Sequence, residues 1–317
     1  LKDFEKEVAC LDKPLTIMTI GLSKFEGGDG SRKKTNVIAK HFSDPRNFSL
    51  ERDDHVKRLK DSLYANYPQH FEGIDPDEIE FIECFGIRDA ADDMSLRSHI
   101  GTHWKNMKMS VESQSFQHPS MFPAAARVLN RAVFGKTKKP FIVKICKSGR
   151  HRTMCVRRCT GWIAERHGMK VTYIDTSRGK HWSGGGRCGG IQCEECNEGN
   201  ENAIAETHKA LVAARKIWFN AERQAGGPGI ITTFRKLTNP RDKMYDKVST
   251  ASSKADAVVL RAQAYRLEEN KRLPEEMRDL GSEPPVILER SPSAGDVSSS
   301  SAVAAPPSKA QPEKKTR

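Results

Sequence analysis

Near the middle of the chain the sequence reads Pro140-Phe-Ile-Val-Lys-Ile-Cys-Lys-Ser-Gly-Arg-His-Arg-Thr153. The first part of this stretch is β-branched and aromatic, which is typical of a short buried strand. Residues His151 to His167 have the length and composition of a helix that stops at Gly168. Because a basic loop with a glycine joins the two, the sequence predicts a strand, a loop and a helix in direct succession.

Segments on both sides extend this pattern into an α/β fold. Leu15 to Leu22 and Met169 to Ile174 read as further strands, and Asn36 to Phe42 is another candidate strand. Pro123 to Phe134 has helical spacing with proline at its first position, where the missing N–H costs nothing. The alternation predicts a mainly parallel sheet with helices on both faces.

The loop after the Phe141 strand carries donors suited to an anion. Ligands of α/β sheets bind at the carboxyl ends of strands, where a helix N-terminus directs backbone N–H groups and positive charge towards them. Hydroxyls and a guanidinium fork add to these donors. The predicted contacts are Lys147, Ser148, Gly149, Arg150, His151, Arg152 and Thr153. A surface loop that happens to be basic is the alternative.

Two roles are open for His151. Its imidazole suits a general acid or base, since its ordinary titration lies near neutrality. The neighbouring Arg152 favours the other interpretation, in which His151 donates a hydrogen bond to a bound anion.

The same loop has the pattern Cys-x-x-Gly-x-x-Arg-Thr, which resembles the signature loop of cysteine-dependent phosphatases. That resemblance implies a thiolate nucleophile at Cys146 and a phosphate clamp at Arg152. Those enzymes also need an upstream aspartic acid as general acid. Between Asp93 and Cys146 the only acidic residue is Glu112, so an enzyme and a binding module both stay open.

The segment from Lys144 to Val171 is similar to the C-terminal domain of the RNase adapter protein RapZ family. That family's loop reads Gly-Cys-Thr-Gly-Gly-x-His-Arg-Ser, and a helix, an Arg-x-Gly turn and a strand follow it. Thr19 to Gly27 is similar to the family's first strand and the loop after it. Val37 to Pro45 is similar to the next segment of the family. The counterparts in the second segment stand at unchanged spacing: Cys146, Ser148, Gly149, His151, Arg152, Thr153, Arg166, Gly168 and Val171.

This resemblance implies a phosphate pocket that binds a phosphorylated amino sugar or RNA backbone without turnover. The loop from Gly21 to Thr35 is a further candidate lining of the anion site, and a solvated basic loop is the alternative. The family has Asp and Arg where this chain has Ile38 and Lys40, and its two matched segments lie closer together. The full family protein also carries a P-loop kinase-like domain. Here Gly28 to Thr35 has Lys33 where a P-loop needs its second glycine, so no nucleotide-cofactor motif is present.

A cysteine-rich segment follows the last predicted strand. His181, Cys188, Cys193 and Cys196 offer nitrogen and sulfur ligands in a stretch rich in glycine. A Cys3His zinc site would supply the folding energy that so polar a segment cannot gain by burial. Free thiols in a flexible loop are the alternative, and His208 is a weaker substitute for His181.

The positive charge is local. Of a formal net charge of +12, two thirds falls between Lys144 and Lys180. This stretch contains ten basic residues and only two acidic ones, Glu165 and Asp175. This distribution favours a defined phosphate pocket over a diffuse polycation.

No apolar run is long enough to cross a bilayer. Sparse cysteines favour a reducing compartment, the cytoplasm, and a targeting segment before Leu1 stays open.

We expect a phosphorylated small molecule or RNA as the partner, and we expect no association with a membrane. A zinc-stabilised interaction protein is the third interpretation of the function. Apolar stripes on two late helices, Glu201 to Gln224 and Ser252 to Leu273, predict core packing or self-association. The predicted parts are an anion-binding domain over 14–181 with a polar insertion at about 46–122, the cysteine-rich segment 182–200, a helical extension 201–280 and a disordered tail 281–317.

Overall fold

The structure is a computed structural model, and it describes residues 6, 9–22, 48–113, 121–176, 193, 196 and 199–238. The chain divides into two units, Leu1–Gly281 and Ser282–Arg317, and all of the described residues belong to the first.

Strands and helices alternate along the described chain. The strands are β1 (Leu15–Gly21), β2 (Ile79–Glu83), β3 (Phe141–Cys146) and β4 (Val171–Asp175). The helices are α1 (Asp53–Asn66), α2 (Pro68–Phe71), α3 (Trp104–Glu112), α4 (Phe122–Phe134), α5 (Arg152–Arg166), α6 (Glu201–Ala225) and α7 (Ile230–Thr238).

The four strands form one parallel sheet in the order β2-β3-β1-β4. Every residue of β3 is buried, as expected for a central strand of a parallel sheet that is covered on both faces. The predicted α/β class with a mainly parallel sheet is therefore confirmed.

The two central strands are neighbours whose chains leave in opposite directions. From β1 the chain passes beyond β3 to the edge strand β2, and from β3 it passes beyond β1 to the other edge strand, β4. The two connections therefore begin side by side at the carboxyl ends of β1 and β3, the end of an α/β sheet at which ligands usually bind. The register pairs Gly21 with Cys146 at that end.

Two apolar clusters cover the two faces of the sheet. On one face, helices α4, α5 and α6 enclose Trp162 and Trp218. On the other, α1 and α2 pack Leu63 and Phe71 against the strands. Neighbouring residues of β3 alternate between the clusters, because successive side chains of a strand point to opposite faces.

The stretch from about 46 to 122, which the sequence presents as a polar insertion, supplies β2 and helices α1 to α3. In β2, Ile79 and Ile82 are buried, whereas Glu80 and Glu83 are half-buried. An edge strand pairs on one side only and keeps contact with solvent on the other. Its mixed sequence therefore gives a weaker strand signal than those of β1 and β3.

The first of the two late helices is confirmed as α6. Its first turn is capped by the side chain of Asn200, which accepts hydrogen bonds from the N–H groups of Asn202 at 2.9 Å and Ala203 at 3.4 Å. Gly226, with φ of 66°, ends it in the left-handed conformation. Its apolar face, with Trp218, packs inside the fold.

Two predicted elements and the predicted tail fall on residues that the structure does not describe. These are the candidate strand Asn36 to Phe42, the second late helix Ser252 to Leu273 and the tail from 281 onward.

Candidate functional site

The loop between β3 and α5 lies directly on the end of β1. The N–H of Leu22 donates to the carbonyl of Cys146 at 3.0 Å, which extends the parallel ladder past the last pair. The backbone of Ser148 and Gly149 then crosses so close to Gly21 that any Cβ at position 21 would overlap it. Gly149 itself has φ of 70°, a conformation that favours glycine.

The sulfur of Cys146 is enclosed by its own loop. The N–H of Gly149 donates to Sγ at 3.1 Å, and the hydroxyl of Thr153 lies 3.5 Å from it. The side chain of Cys146 is buried. The hydroxyl of Thr153, which the sequence assigned to an anion, therefore contacts the sulfur.

Asp89 joins the two strongest predicted anion contacts. Its Oδ1 accepts a hydrogen bond from Nδ1 of His151 at 2.9 Å, and its Oδ2 lies 3.2 Å from Nη2 of Arg152. Nη1 of Arg152 also donates to the carbonyl of Phe85 at 2.7 Å. Both partners come from the segment after β2, which thereby orients the guanidinium and the imidazole.

Each of these two side chains keeps one buried nitrogen without a partner. Nε2 of His151 and Nε of Arg152 are shielded from solvent, and neither has a hydrogen-bond partner within the described part of the chain. Buried polar atoms without partners are rare, and a bound ion or ligand is one of the usual reasons for them.

The remaining predicted contacts differ in exposure. Lys147 is exposed, Ser148 is half-buried, and Gly149 is buried. Arg150 is half-buried and its Nη2 donates to the carbonyl of Ser98. The carbonyl of Arg150 in turn accepts from the N–H of Gly101 at 2.9 Å, so a second segment before α3 holds this side of the loop.

Part of the local positive charge is held inside the fold. Lys144 is fully buried, and its Nζ donates to Oγ1 of Thr160 at 2.9 Å. Burial lowers the pKa of Lys144 to about 8. Arg157 makes two hydrogen bonds to Asp175, at 2.7 and 2.6 Å. The charge available to a ligand at the loop is therefore smaller than the count from the sequence implies.

A second cluster of polar side chains lies beside the loop. Cys193 and Cys196 approach Nδ1 of His99, with Sγ atoms at 3.7 and 3.4 Å. One ligand atom from each residue lies within 4.8 Å of the other two, so the three side chains could hold a metal ion. The Cys-x-x-Cys pair of the sequence thus takes part in a possible metal site.

The structure does not add the other predicted metal ligands to this cluster. His181 and Cys188 lie outside the described residues. His208 stacks edge-on against Trp162 with ring centroids 5.8 Å apart, so it belongs to the core packing. The histidine that the structure brings to the two cysteines is His99, more than 90 residues earlier in the chain.

Sequence reasoning missed Asp89, Ser98 and His99. All three precede α3, in a stretch without apolar periodicity, and none has a motif partner nearby in the sequence. The one available signal is the spacing of His99 and His103, whose rings lie 4.0 Å apart, and it is too common to identify a site.

Comparison with protein-family models, with curated proteins and with solved structures gives no significant match in any of the three.

No helix in the described ranges is both long and apolar enough to cross a membrane. The seven cysteines that the structure describes are all free thiols.

The replacement Lys144→Met should change how stability depends on pH. The pKa of Lys144 is about 8 in the fold and 10.5 in the reference state, so the unfolded chain binds more protons between these values. The free energy of unfolding therefore rises with pH in this window. Between pH 7.5 and 9, we expect the wild type to gain about 1 kcal/mol relative to Lys144→Met in urea unfolding.

The window ends at pH 9 because buried thiols act in the opposite direction above it. Burial raises the pKa of Cys84 to about 12, so its ionisation favours the unfolded chain at high pH. Lys170→Met, at an exposed lysine, should keep the wild-type slope. Parallel pH profiles for wild type and Lys144→Met would contradict the prediction.

Proposed function

We propose that the protein binds a phosphate group or similar anion at the loop from Cys146 to Arg152. The observation that carries this proposal is a pair of buried nitrogens, on His151 and Arg152, that find no partner among the described residues and lie at the start of a fifteen-residue helix. A helix N-terminus favours negative charge through its N–H groups and its dipole. The loop also lies at the carboxyl ends of the two central strands, β1 and β3.

Orientation of the donors supports a binding role. Phe85 and Asp89 each engage one terminal nitrogen of Arg152, which fixes the plane of the guanidinium and leaves Nε–H for a ligand. Asp89 accepts from Nδ1 of His151, so Nε2 faces the ligand as a donor when the ring is doubly protonated. Donors fixed before binding lose little conformational entropy on binding.

The ligand class comes from the resemblance to the RapZ family. A phosphorylated amino sugar, or another phosphorylated metabolite, is the first choice, and the backbone of RNA is the alternative. The two are separable by salt, because RNA that contacts several cations releases counterions and its affinity falls steeply with salt concentration.

The replacement Arg152→Lys should weaken phosphate binding without unfolding the protein. Lysine keeps the positive charge, but it lacks the Nε–H that Arg152 has left for the ligand. Because a hydrogen bond to a charged group contributes about 1.5 to 3 kcal/mol, we expect the Kd for inorganic phosphate to rise about 10- to 100-fold. Isothermal titration calorimetry on the full chain measures it.

The matched control is Lys170→Ala. Lys170 is an exposed residue of the same basic stretch. It precedes β4 and so lies at the amino ends of the strands, whereas the loop lies at their carboxyl ends. This variant should bind phosphate as the wild type does. If the two variants lose affinity equally, or if the wild type binds no phosphate, the proposed site is wrong.

A cysteine-dependent phosphatase is the second candidate function. The enclosure of the Cys146 sulfur by the Gly149 N–H and the Thr153 hydroxyl favours it, since such donors stabilise a thiolate nucleophile. Asp89 is a carboxyl group near the loop, although His151 and Arg152 already engage its two oxygens. Asp89 is therefore not available to protonate a leaving group, which is why binding ranks first.

Hydrolysis of an aryl phosphate distinguishes the two functions. For a binding module we expect no release of the phenol above background with either wild type or Cys146→Ser, and unchanged phosphate affinity in both. Turnover by the wild type that disappears in Cys146→Ser would replace binding with catalysis as the function.

We also propose that the ion suited to His99, Cys193 and Cys196 is zinc. Two sulfurs and one imidazole nitrogen are donors typical of structural zinc sites. The sequence offers Cys188 or His181 for a fourth position. A reducing compartment such as the cytoplasm agrees with a site that depends on free thiols.

Zinc content tests this assignment. We expect about one zinc per purified chain by mass spectrometry of the metal, and loss of that zinc in His99→Asn and in Cys193→Ser. His70→Asn, at a histidine outside the cluster, should keep it. Full zinc content in His99→Asn would remove His99 from the ligand set.

A further inference from the structure

We propose that a metal ion on His99, Cys193 and Cys196 regulates the affinity of the neighbouring loop for its anion. This inference rests on the proposed function, because it concerns the same loop. The metal cluster and the loop share one segment of chain, residues 98–102, which contacts both of them. Filling the metal site would therefore fix the position of groups that hold the loop.

The segment contacts the loop on both sides of His99. One residue earlier, the carbonyl of Ser98 accepts a hydrogen bond from the guanidinium of Arg150. Two residues later, the N–H of Gly101 donates to the carbonyl of Arg150 at 2.9 Å. A Cβ at Gly101 would overlap the carbonyl of His151, so the two backbones are in direct contact.

The same segment is tied to the cysteines. The hydroxyl of Thr102 donates to the carbonyl of Cys196 at 2.9 Å. Ile100 and Cys196 also form a small buried cluster with Met154, in the first turn of α5, and Cys193 packs against it. The cysteine segment thus contacts residues 98–102 and the helix whose N-terminus faces the anion.

The described apolar packing around this segment is slight. The cluster contains only three buried residues, whereas each sheet face is covered by many. Coordination bonds would add far more order here than such a cluster provides, since a structural zinc site supplies folding free energy directly. Metal binding should therefore reduce the number of positions open to Ser98 and Gly101.

Metal binding should strengthen anion binding because it orders residues 98–102, not because it changes the charge near the loop. Two thiolates balance the charge of a divalent cation, so the loaded site carries no net charge from these groups and the field at the loop changes little. An ordered segment keeps Arg150 and the backbone of His151 in place before the anion arrives, which lowers the entropic cost of binding. The metal should thus strengthen anion binding, by a factor that is insensitive to ionic strength.

The experiment measures the affinity of the full chain for inorganic phosphate in two forms, zinc-loaded and zinc-free. The zinc-free form is prepared with a chelator that is then removed by gel filtration. We expect phosphate to bind about 10-fold tighter to the zinc-loaded form, which lies within the usual range of coupling between two sites. Phosphate should raise the zinc affinity by the same factor, measured by competition with a chromophoric chelator.

The variant Thr102→Val separates coupling from metal binding. It removes the hydroxyl that reaches Cys196 and leaves all three ligands in place. We expect it to bind zinc, and the phosphate factor between the two forms to fall towards one. The control Thr172→Val makes the same change at an exposed position of β4, and it should keep the full factor.

Each result has a separate meaning. Equal phosphate affinity with and without zinc, both weakened by Arg152→Lys, would overturn the coupling and leave the proposed function intact. A factor that persists in Thr102→Val would assign the coupling to His99 and to the packing of Ile100 on Cys196, whereas the absence of zinc binding would overturn the inference. Loss of phosphate binding in every form would overturn the proposed function itself.

Discussion

The close contact between the ends of the two central strands is the constraint on which the rest of the structure depends. The loop after β3 crosses over Gly21, backbone against backbone, with no space for a side chain between them. This contact places the Cys146 sulfur beneath its own loop and sets where α5 begins. The segments after β2 and before α3 then close around a loop whose path is already determined.

Those surrounding segments make a basic loop compatible with burial. A buried cation without a partner is costly, and here each guanidinium finds an oxygen. Arg152 reaches Asp89 and the carbonyl of Phe85, and Arg150 reaches the carbonyl of Ser98. The loop is therefore held from outside by parts of the chain that lie 52 to 67 residues earlier, and its geometry is a property of the whole α/β unit.

Local sequence was sufficient to predict the elements that carry the loop. The apolar runs of β1 and β3 and the start of α5 are signals contained within a few residues, and each is found within one or two residues of its expected bounds. The edge strand β2 was not predicted, because two of its five side chains are glutamates that interrupt the apolar run. Asp89 and His99 were missed because their partners are distant in sequence, and only the folded chain brings them together.

The charge of the segment illustrates the same limit. A count of basic residues does not distinguish Lys144, which is buried beside Thr160, from Lys147, which is exposed at the loop. The sequence correctly indicated where positive charge is concentrated. Its burial and its pairing with Asp89 and Asp175 depend on tertiary contacts.

The strand order also constrains how the chain can fold as it is made. β1 is central, yet both strands that flank it, β3 and β4, come more than 100 residues later in the sequence. Its apolar segment therefore leaves the ribosome without a partner and stays unpaired until most of the domain has been synthesised. Such non-local parallel pairing slows folding and prolongs the exposure of an aggregation-prone strand.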